Sequence, residues 1–210
     1  MTAELIQGSP EWLAMRAGKV TASRIGDVMG KIKTGEAASR RDYKSQIVAE
    51  ILTGTPQGET FINDAMRWGT EQEPYARAAY EIQTGQMVDQ VGFVDHPTIS
   101  RAGCSPDGLV CCDGLVEIKC PKTATHLSCL MDGTVPTQYQ PQMLFQLACT
   151  GRQWCDFVSF DPRLPEDLQL FVIRFNRDQA RIDAMEAEVM AFLGEVDTIL
   201  ASLATRRRAA

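Results

Sequence analysis

The 210-residue chain has only two histidines, His96 and His126. With so few, and neither at a metal-type spacing from the other, a histidine-based zinc site and a Ser-His-Asp triad are not expected. There are seven cysteines but no C-x-x-C, which removes a zinc ribbon and a thioredoxin-type redox site. Nor do the cysteines cluster as iron–sulfur ligands do. The odd count reads as reduced thiols in a cytoplasmic protein, all seven serving as small core hydrophobes. P-loop and G-x-G-x-x-G patterns are lacking, so nucleotide-driven motion and dinucleotide binding have no signature. No apolar run approaches the roughly 20 residues of a membrane helix. Met1 to Pro10 has neither a basic n-region nor an apolar h-region, so no secretory leader is expected. Internal repeats and low-complexity segments are also missing.

What is present fits a soluble globular chain: 44% hydrophobic and 23% charged residues. The length suits one domain across residues 1–210. Net charge is −6, which alone speaks against a nucleic-acid partner. The distribution is uneven, however. Arg16 to Ser45 holds eight basic residues and three acids, a surplus of five that leaves the remainder at −11. A segregated charge of this kind can offer one basic face to a polyanion, or can simply be a solvated helix surface. Charge alone favours the second.

Periodicity predicts helices at the two ends and strands in the middle. A short helix is expected at Pro10–Met15, then a turn of helix through Ile25, Val28 and Met29 stopped by Gly30. Ser39 is expected to cap a helix that buries Tyr43, Ile47, Val48, Ile51 and Leu52 and ends at Gly54. A further helix runs from about Asn63 to Thr84. The polar stretch Lys31 to Ser39 is a candidate mobile loop. Strands are expected around Val88 to Phe93, at Leu109–Cys112, at Leu115–Cys120, at Trp154–Phe160 and at Leu168–Phe175. Helices from about Thr123 and Gln138 lie between them. The last helix, about residues 178–204, carries an apolar seam from Ile182 to Leu203 that must pack on something; this chain's own sheet is the plain reading and self-association the other. Arg206 to Arg208 reads as a frayed tail. The expected fold class is α/β, a central mixed sheet flanked by helices.

The informative segment is Ser105-Pro-Asp-Gly-Leu-Val-Cys-Cys-Asp-Gly-Leu-Val-Glu-Ile-Lys-Cys-Pro121. Glu117 and Lys119 share one face of an otherwise apolar strand, because side chains alternate. Charged groups there are costly to desolvate without partners. A sheet-edge ion pair is the plain reading. Convergence with Asp107 is the functional one, and it sets a parity condition. Across the hairpin, paired residue numbers must sum to an even value for Asp107 to share the face of Glu117. A two-residue Asp113-Gly114 turn would make that sum odd. An odd-length loop or a bulge is therefore expected, with Gly114 at positive φ. Two carboxylates so placed suit a hard divalent cation such as Mg²⁺. Lys119 would then orient or help deprotonate a water and offset charge on a phosphate.

This is a P-D…(D/E)-x-K pattern; its part Leu115-Val-Glu-Ile-Lys-Cys-Pro121 is one block, and four others stand in order along the chain. They are Trp12-Leu-Ala-Met-Arg16 with Val20-Thr-Ala-Ser-Arg-Ile25, Trp68-Gly-Thr-Glu-Gln-Glu73, Gly103-Cys-Ser-Pro-Asp-Gly108, and Tyr139-Gln-Pro-Gln142 running on to Gly151. In this order they resemble the lambda-type exonucleases, also called YqaJ viral recombinases. The resemblance implies a restriction-endonuclease-like core and a 5′→3′ exonuclease on linear double-stranded DNA. It implies release of 5′-mononucleotides and a 3′ single strand for recombination by annealing. It places metal ligands at Asp107, Glu117 and the main-chain carbonyl of Ile118, with two Mg²⁺ ions, Mn²⁺ substituting. It gives Lys119 the catalytic role, with Glu73 and Gln142 beside it. Arg16, Ser23 and Ser105 match a pocket for the 5′-phosphate, a charged fork with two hydroxyls. A ring of three subunits and a single-strand annealing protein are the implied partners, with Arg40, Arg41 and Lys44 as candidates for a channel lining. Where many relatives have a second glutamine two residues after the first, this chain has Leu144. A structure- or site-specific endonuclease of the same superfamily, and a non-catalytic DNA-end-binding module, are the alternatives.

Overall fold

The computed structural model describes residues 7–57 and 63–209. Met1 to Ile6, part of the stretch read as lacking a leader, lie outside the described residues. The chain begins with α1 (Pro10–Arg16), β1 (Val20–Thr21), α2 (Ile25–Met29), α3 (Ala38–Thr53) and α4 (Asp64–Thr84). The strands β2 (Val88–Asp89), β3 (Val94–Asp95), β4 (Ala102–Cys104), β5 (Gly108–Val110) and β6 (Gly114–Lys119) follow. Then come α5 (Thr123–Asp132), α6 (Gln140–Thr150), β7 (Trp154–Phe160), β8 (Leu170–Asn176) and α7 (Gln179–Ala209).

The strands form two sheets: a five-stranded one in the order β2-β5-β6-β7-β8 and a three-stranded one in the order β1-β4-β3. In the larger sheet only β6 and β7 are parallel, as their crossover through α5 and α6 requires. The fold is thus the expected mixed sheet flanked by helices. The smaller sheet was not anticipated, because β1 has two residues and β4 three, too short for a period to register.

Alternation along β6 sends its residues to two cores. Leu115 joins Phe157, Cys155 and helices α2, α3, α6 and α7 on one face. Val116 and Ile118 join Ala76 and Tyr80 of α4 on the other. Glu117 and Lys119 therefore point to the α6 side. The seam of α7 packs where the first core lies: Ile182, Met185, Val189, Phe192 and Val196 are buried there, and Ile199 and Leu203 lie against it. The helix continues through Arg206 to Arg208, so those arginines are a helical last turn and not a frayed end.

Several expectations are corrected. The helix α3 starts at Ala38, and its N-cap, Ala37, makes no side-chain cap; Ser39 lies inside. Four cysteines are buried, but Cys111 and Cys112 are exposed and Cys120 is intermediate. Cys111 and Cys112 belong to the β5–β6 turn and not to a strand. The parity condition holds, since Gly108 pairs with Val116, Leu109 with Leu115 and Val110 with Gly114 across a three-residue loop. The positive φ, however, falls on Cys111 (φ 50°) and not on Gly114. Arg152 explains this locally: one guanidinium nitrogen donates to the carbonyls of Val110, Cys111 and Gly114 and clamps the turn. Gly114 is small for another reason. A Cβ there would sit 2.1 Å from the Trp154 ring.

The basic segment is also not a free face. Arg40 and Lys44 both bond Glu195 of α7, at 2.8 and 2.5 Å, and both bond Glu36. One acid from the far end of the chain and one from just before α3 thus occupy two of the three residues proposed for a channel; Arg41 stays exposed. Hydrogen bonds from Arg40, then Lys44, hold Glu195 down to about 2, against the opposing effect of its burial. A depressed carboxylate stabilises the fold above its unfolded pKa near 4.5 and loses that contribution as pH falls toward 2. Glu195 is 43% exposed, so solvent screening reduces the pair to about 1 kcal/mol. Glu195→Gln is expected to lower stability by about that amount at pH 7, with the gap closing below pH ~3. Urea unfolding at the two pH values checks this; a pH-independent gap would contradict it.

Candidate active site

The site is built at the C-terminal end of β6. Asp107 directly precedes β5, and its Oδ2 accepts the main-chain N–H of Ile118 at 2.6 Å. This bond ties the first acid to the strand that carries the second. Glu117 is fully buried. Its Oε1 accepts from Gln142 at 2.5 Å and from the Lys119 ammonium. Its Oε2 accepts from Gln146 at 2.6 Å. The two glutamines lie four residues apart on α6 and so on one helix face. Pro141 sits in the first turn of that helix, where no N–H is needed. Tyr139, just before α6, stacks on Phe157 and lies 5.5 Å from Lys119 Nζ.

The electrostatics follow from crowding two carboxylates in a desolvated place. Burial raises the Asp107 carboxyl well above its usual range, and the charge of Glu117 adds to this; Lys119 opposes it. Burial alone would lower Lys119, but Glu117 and Asp107 outweigh it, so the ammonium is held in its protonated form. Among the described residues no three His, Cys, Asp or Glu side chains group tightly enough to hold an ion by themselves. The available set is two carboxylates and the main chain between them, all hard oxygens. A divalent cation would offset the burial and the neighbouring Glu117 charge that raise Asp107, so the donor set fits such an ion.

Glu73 comes from α4, on the opposite face of the sheet, and accepts from Arg77 at 2.5 Å. It lines the same cleft as Asp107, Ile118 and Lys119, a space of about 740 Å³ that Trp68, Tyr139 and Arg163 also border. Its charge reaches Asp107.

A second constellation adjoins the first. Arg16 donates to Ser23 at 3.0 Å and to Thr21 at 3.5 Å, and its guanidinium lies 4.0 Å from the Trp12 ring. Trp12 Nε1 donates to Ser105 Oγ at 2.9 Å. Arg16, Ser23 and Ser105 are therefore gathered, with Trp12 and Thr21 between them. Burial lowers the Arg16 pKa, as a guanidinium short of solvent and of a carboxylate partner should show. Ser105 is two residues from Asp107, so their Cα atoms are at most about 7 Å apart.

Both histidines are structural. His126 is buried between Ser159 Oγ (2.7 Å) and the Leu168 carbonyl (2.9 Å). His96 stacks on Phe145 and bonds Glu186 at 3.1 Å. Gln146, Trp12, Thr21 and Arg77 were not picked out as site residues. For Gln146 a signal existed: it is an amide four residues from Gln142 in an otherwise apolar helix. Leu144, at the second-glutamine position of many relatives, is core.

A mixed sheet that brings an aspartate, a glutamate and a lysine together at one strand end has the architecture of the P-D…(D/E)-x-K nucleases. A model of the YqaJ-like viral recombinase domain matches residues 11–153, and the chain belongs to that lambda-exonuclease-type family. The alkaline exonuclease LHK-Exo of Laribacter hongkongensis is 52% identical, with 96% of this chain and 98% of that one covered at a TM-score of 0.87. Its structure in complex with dAMP matches at 51% identity over the same shares, with a TM-score of 0.88. A phage-related exonuclease from Haemophilus somnus 129PT shares the fold at 16% identity, TM-score 0.69, covering 88% of this chain and 96% of that one. A comparison with curated proteins gives no match. No described helix is long and apolar enough to cross a membrane.

Proposed function

We propose that this chain is a metal-dependent 5′→3′ exonuclease on linear double-stranded DNA that releases 5′-mononucleotides and leaves a 3′ single strand. The observation that carries the reading is the meeting of Asp107, Glu117 and Lys119 beside a pocket of Arg16, Ser23 and Ser105. Asp107, Glu117 and the Ile118 carbonyl would hold Mg²⁺, in one or two ions, with Mn²⁺ as a substitute. A cation bound there would lower the pKa of water and offset charge on the phosphodiester. Lys119, held protonated, orients a water through its N–H groups and stabilises charge on the scissile phosphate. Glu73 lines the cleft, where it would face the cation and its water, and Gln142 holds Glu117 Oε1 through a hydrogen bond.

The Arg16 fork and the two serine hydroxyls suit a terminal phosphate dianion. Ser105 lies two positions before Asp107, a reach comparable to the spacing of adjacent phosphates on one strand. Such a ruler would cut one nucleotide from a phosphorylated end. The 51% identical relative holds dAMP, a 5′-mononucleotide of the expected product class. A ring of three subunits, a single-strand annealing protein as partner, a recombination role and a cytoplasmic site of action rest on family membership.

The test is digestion of a linear duplex with one 5′-phosphorylated end in Mg²⁺, beside covalently closed circles. The expected result is nucleotide release from the phosphorylated end and intact circles. Cleaved circles would favour an endonuclease; end binding without release would leave a binding module.

A further inference from the structure

Gln146 takes no part in the functional reading above, yet it touches the buried acid directly. Its side chain is fully buried, its Nε2 donates to Glu117 Oε2 at 2.6 Å, and among the described residues its Oε1 has no hydrogen-bond partner. Flipping the amide would set two acceptor oxygens against each other, so the Glu117 carboxylate dictates this orientation. The orphaned carbonyl carries the desolvation cost of a buried acceptor left without a donor. A methionine would fill the same space without that cost, so packing alone does not call for an amide here.

The two oxygens of Glu117 have different surroundings. Lys119 lines the cleft and bonds Oε1, so Oε1 is the cleft-side oxygen. Gln146 lies in the interior, and among the described residues it is the one donor to Oε2. The terminal torsion of a glutamate is broad and two-fold, so a carboxylate held through one oxygen can pivot. A donor on each oxygen stops the pivot.

We propose that Gln146 is a positioning residue that anchors the interior oxygen of Glu117 and thereby presents the other oxygen to a divalent cation in the cleft. The proposal rests on the nuclease reading for its activity arm, but its binding arm does not. Gln142 shares Oε1 with Lys119 and with any incoming ion, so it cannot replace this anchor.

The experiment compares wild type and Gln146→Met in two ways: Mn²⁺ titration by electron paramagnetic resonance without DNA, and digestion of linear duplex across Mg²⁺ concentrations. The expected result is Mn²⁺ affinity weakened by about 10- to 100-fold, as for other supporting partners of metal ligands. The kcat should fall by a similar factor, recover partly at high Mg²⁺, and leave the KM for DNA unchanged. Circular dichroism verifies folding, and Gln146→Leu replaces the methionine variant should that one not fold. Unchanged Mn²⁺ affinity in a folded variant would overturn the proposal, as would a rise in KM with kcat intact. Wild type that binds Mn²⁺ but digests no DNA would sink the nuclease reading while the comparison of affinities still judges Gln146. Wild type that binds no Mn²⁺ would sink both.

Discussion

Lys119→Ala is expected to reduce nucleotide release from linear duplex by at least about a hundredfold, the loss seen when a preorganised charge-stabilising donor is removed. The variant should fold. Lys119 lies at the cleft, its side chain 27% exposed, and its ion-pair partner Glu117 keeps the amide donors Gln142 and Gln146. Cation binding should survive, because the carboxylates remain and lose only a competitor for Glu117 Oε1. Release of acid-soluble nucleotides, with Mn²⁺ binding as the control, measures both. Digestion at the wild-type rate would remove Lys119 from the mechanism. Loss of activity together with loss of Mn²⁺ binding would reduce it to a structural ion pair.

The second large effect is expected at the other constellation. Arg16→Ala should abolish the preference for 5′-phosphorylated over 5′-hydroxyl ends, with at least a tenfold fall on phosphorylated ends, about the 1.5–3 kcal/mol of a hydrogen bond to a charged group. Rates on 5′-hydroxyl ends should change little. Arg16→Lys should recover only part of the preference, since a point charge lacks the planar fork that matches phosphate oxygens. The measurement is the ratio of initial rates on the two ends. An equal loss on both would point to the packing of Arg16 on Trp12 as the reason, and against a phosphate pocket.

The chemistry-bearing acids and lysine were legible because their information is local. Strand alternation places Glu117 and Lys119 on one face, and the parity of the hairpin decides whether Asp107 joins them. The identity of the turn residue was not legible. It depends on Arg152 clamping three carbonyls and on Trp154 lying over Gly114, two residues from a later part of the chain. Glu73 and Arg16 look like ordinary helix residues, and only their ordered neighbours in the family blocks singled them out. Gln146 shows the opposite failure. It was passed over, because the polar partner that explains it, Glu117, lies 29 residues away.

The sequence by itself determined the class of fold and the shared face of Glu117 and Lys119, since each follows from a period within about twenty residues; it set the even register of the hairpin as a condition for Asp107 to join them, and the fold met it. Tertiary structure alone decided which charges are free. Glu195 reaches across 151 residues to Lys44, while among the described residues Arg16 meets hydroxyls and an indole. The physical reason is that a charge's availability depends on every group folded against it, and a linear pattern records only its neighbours along the chain.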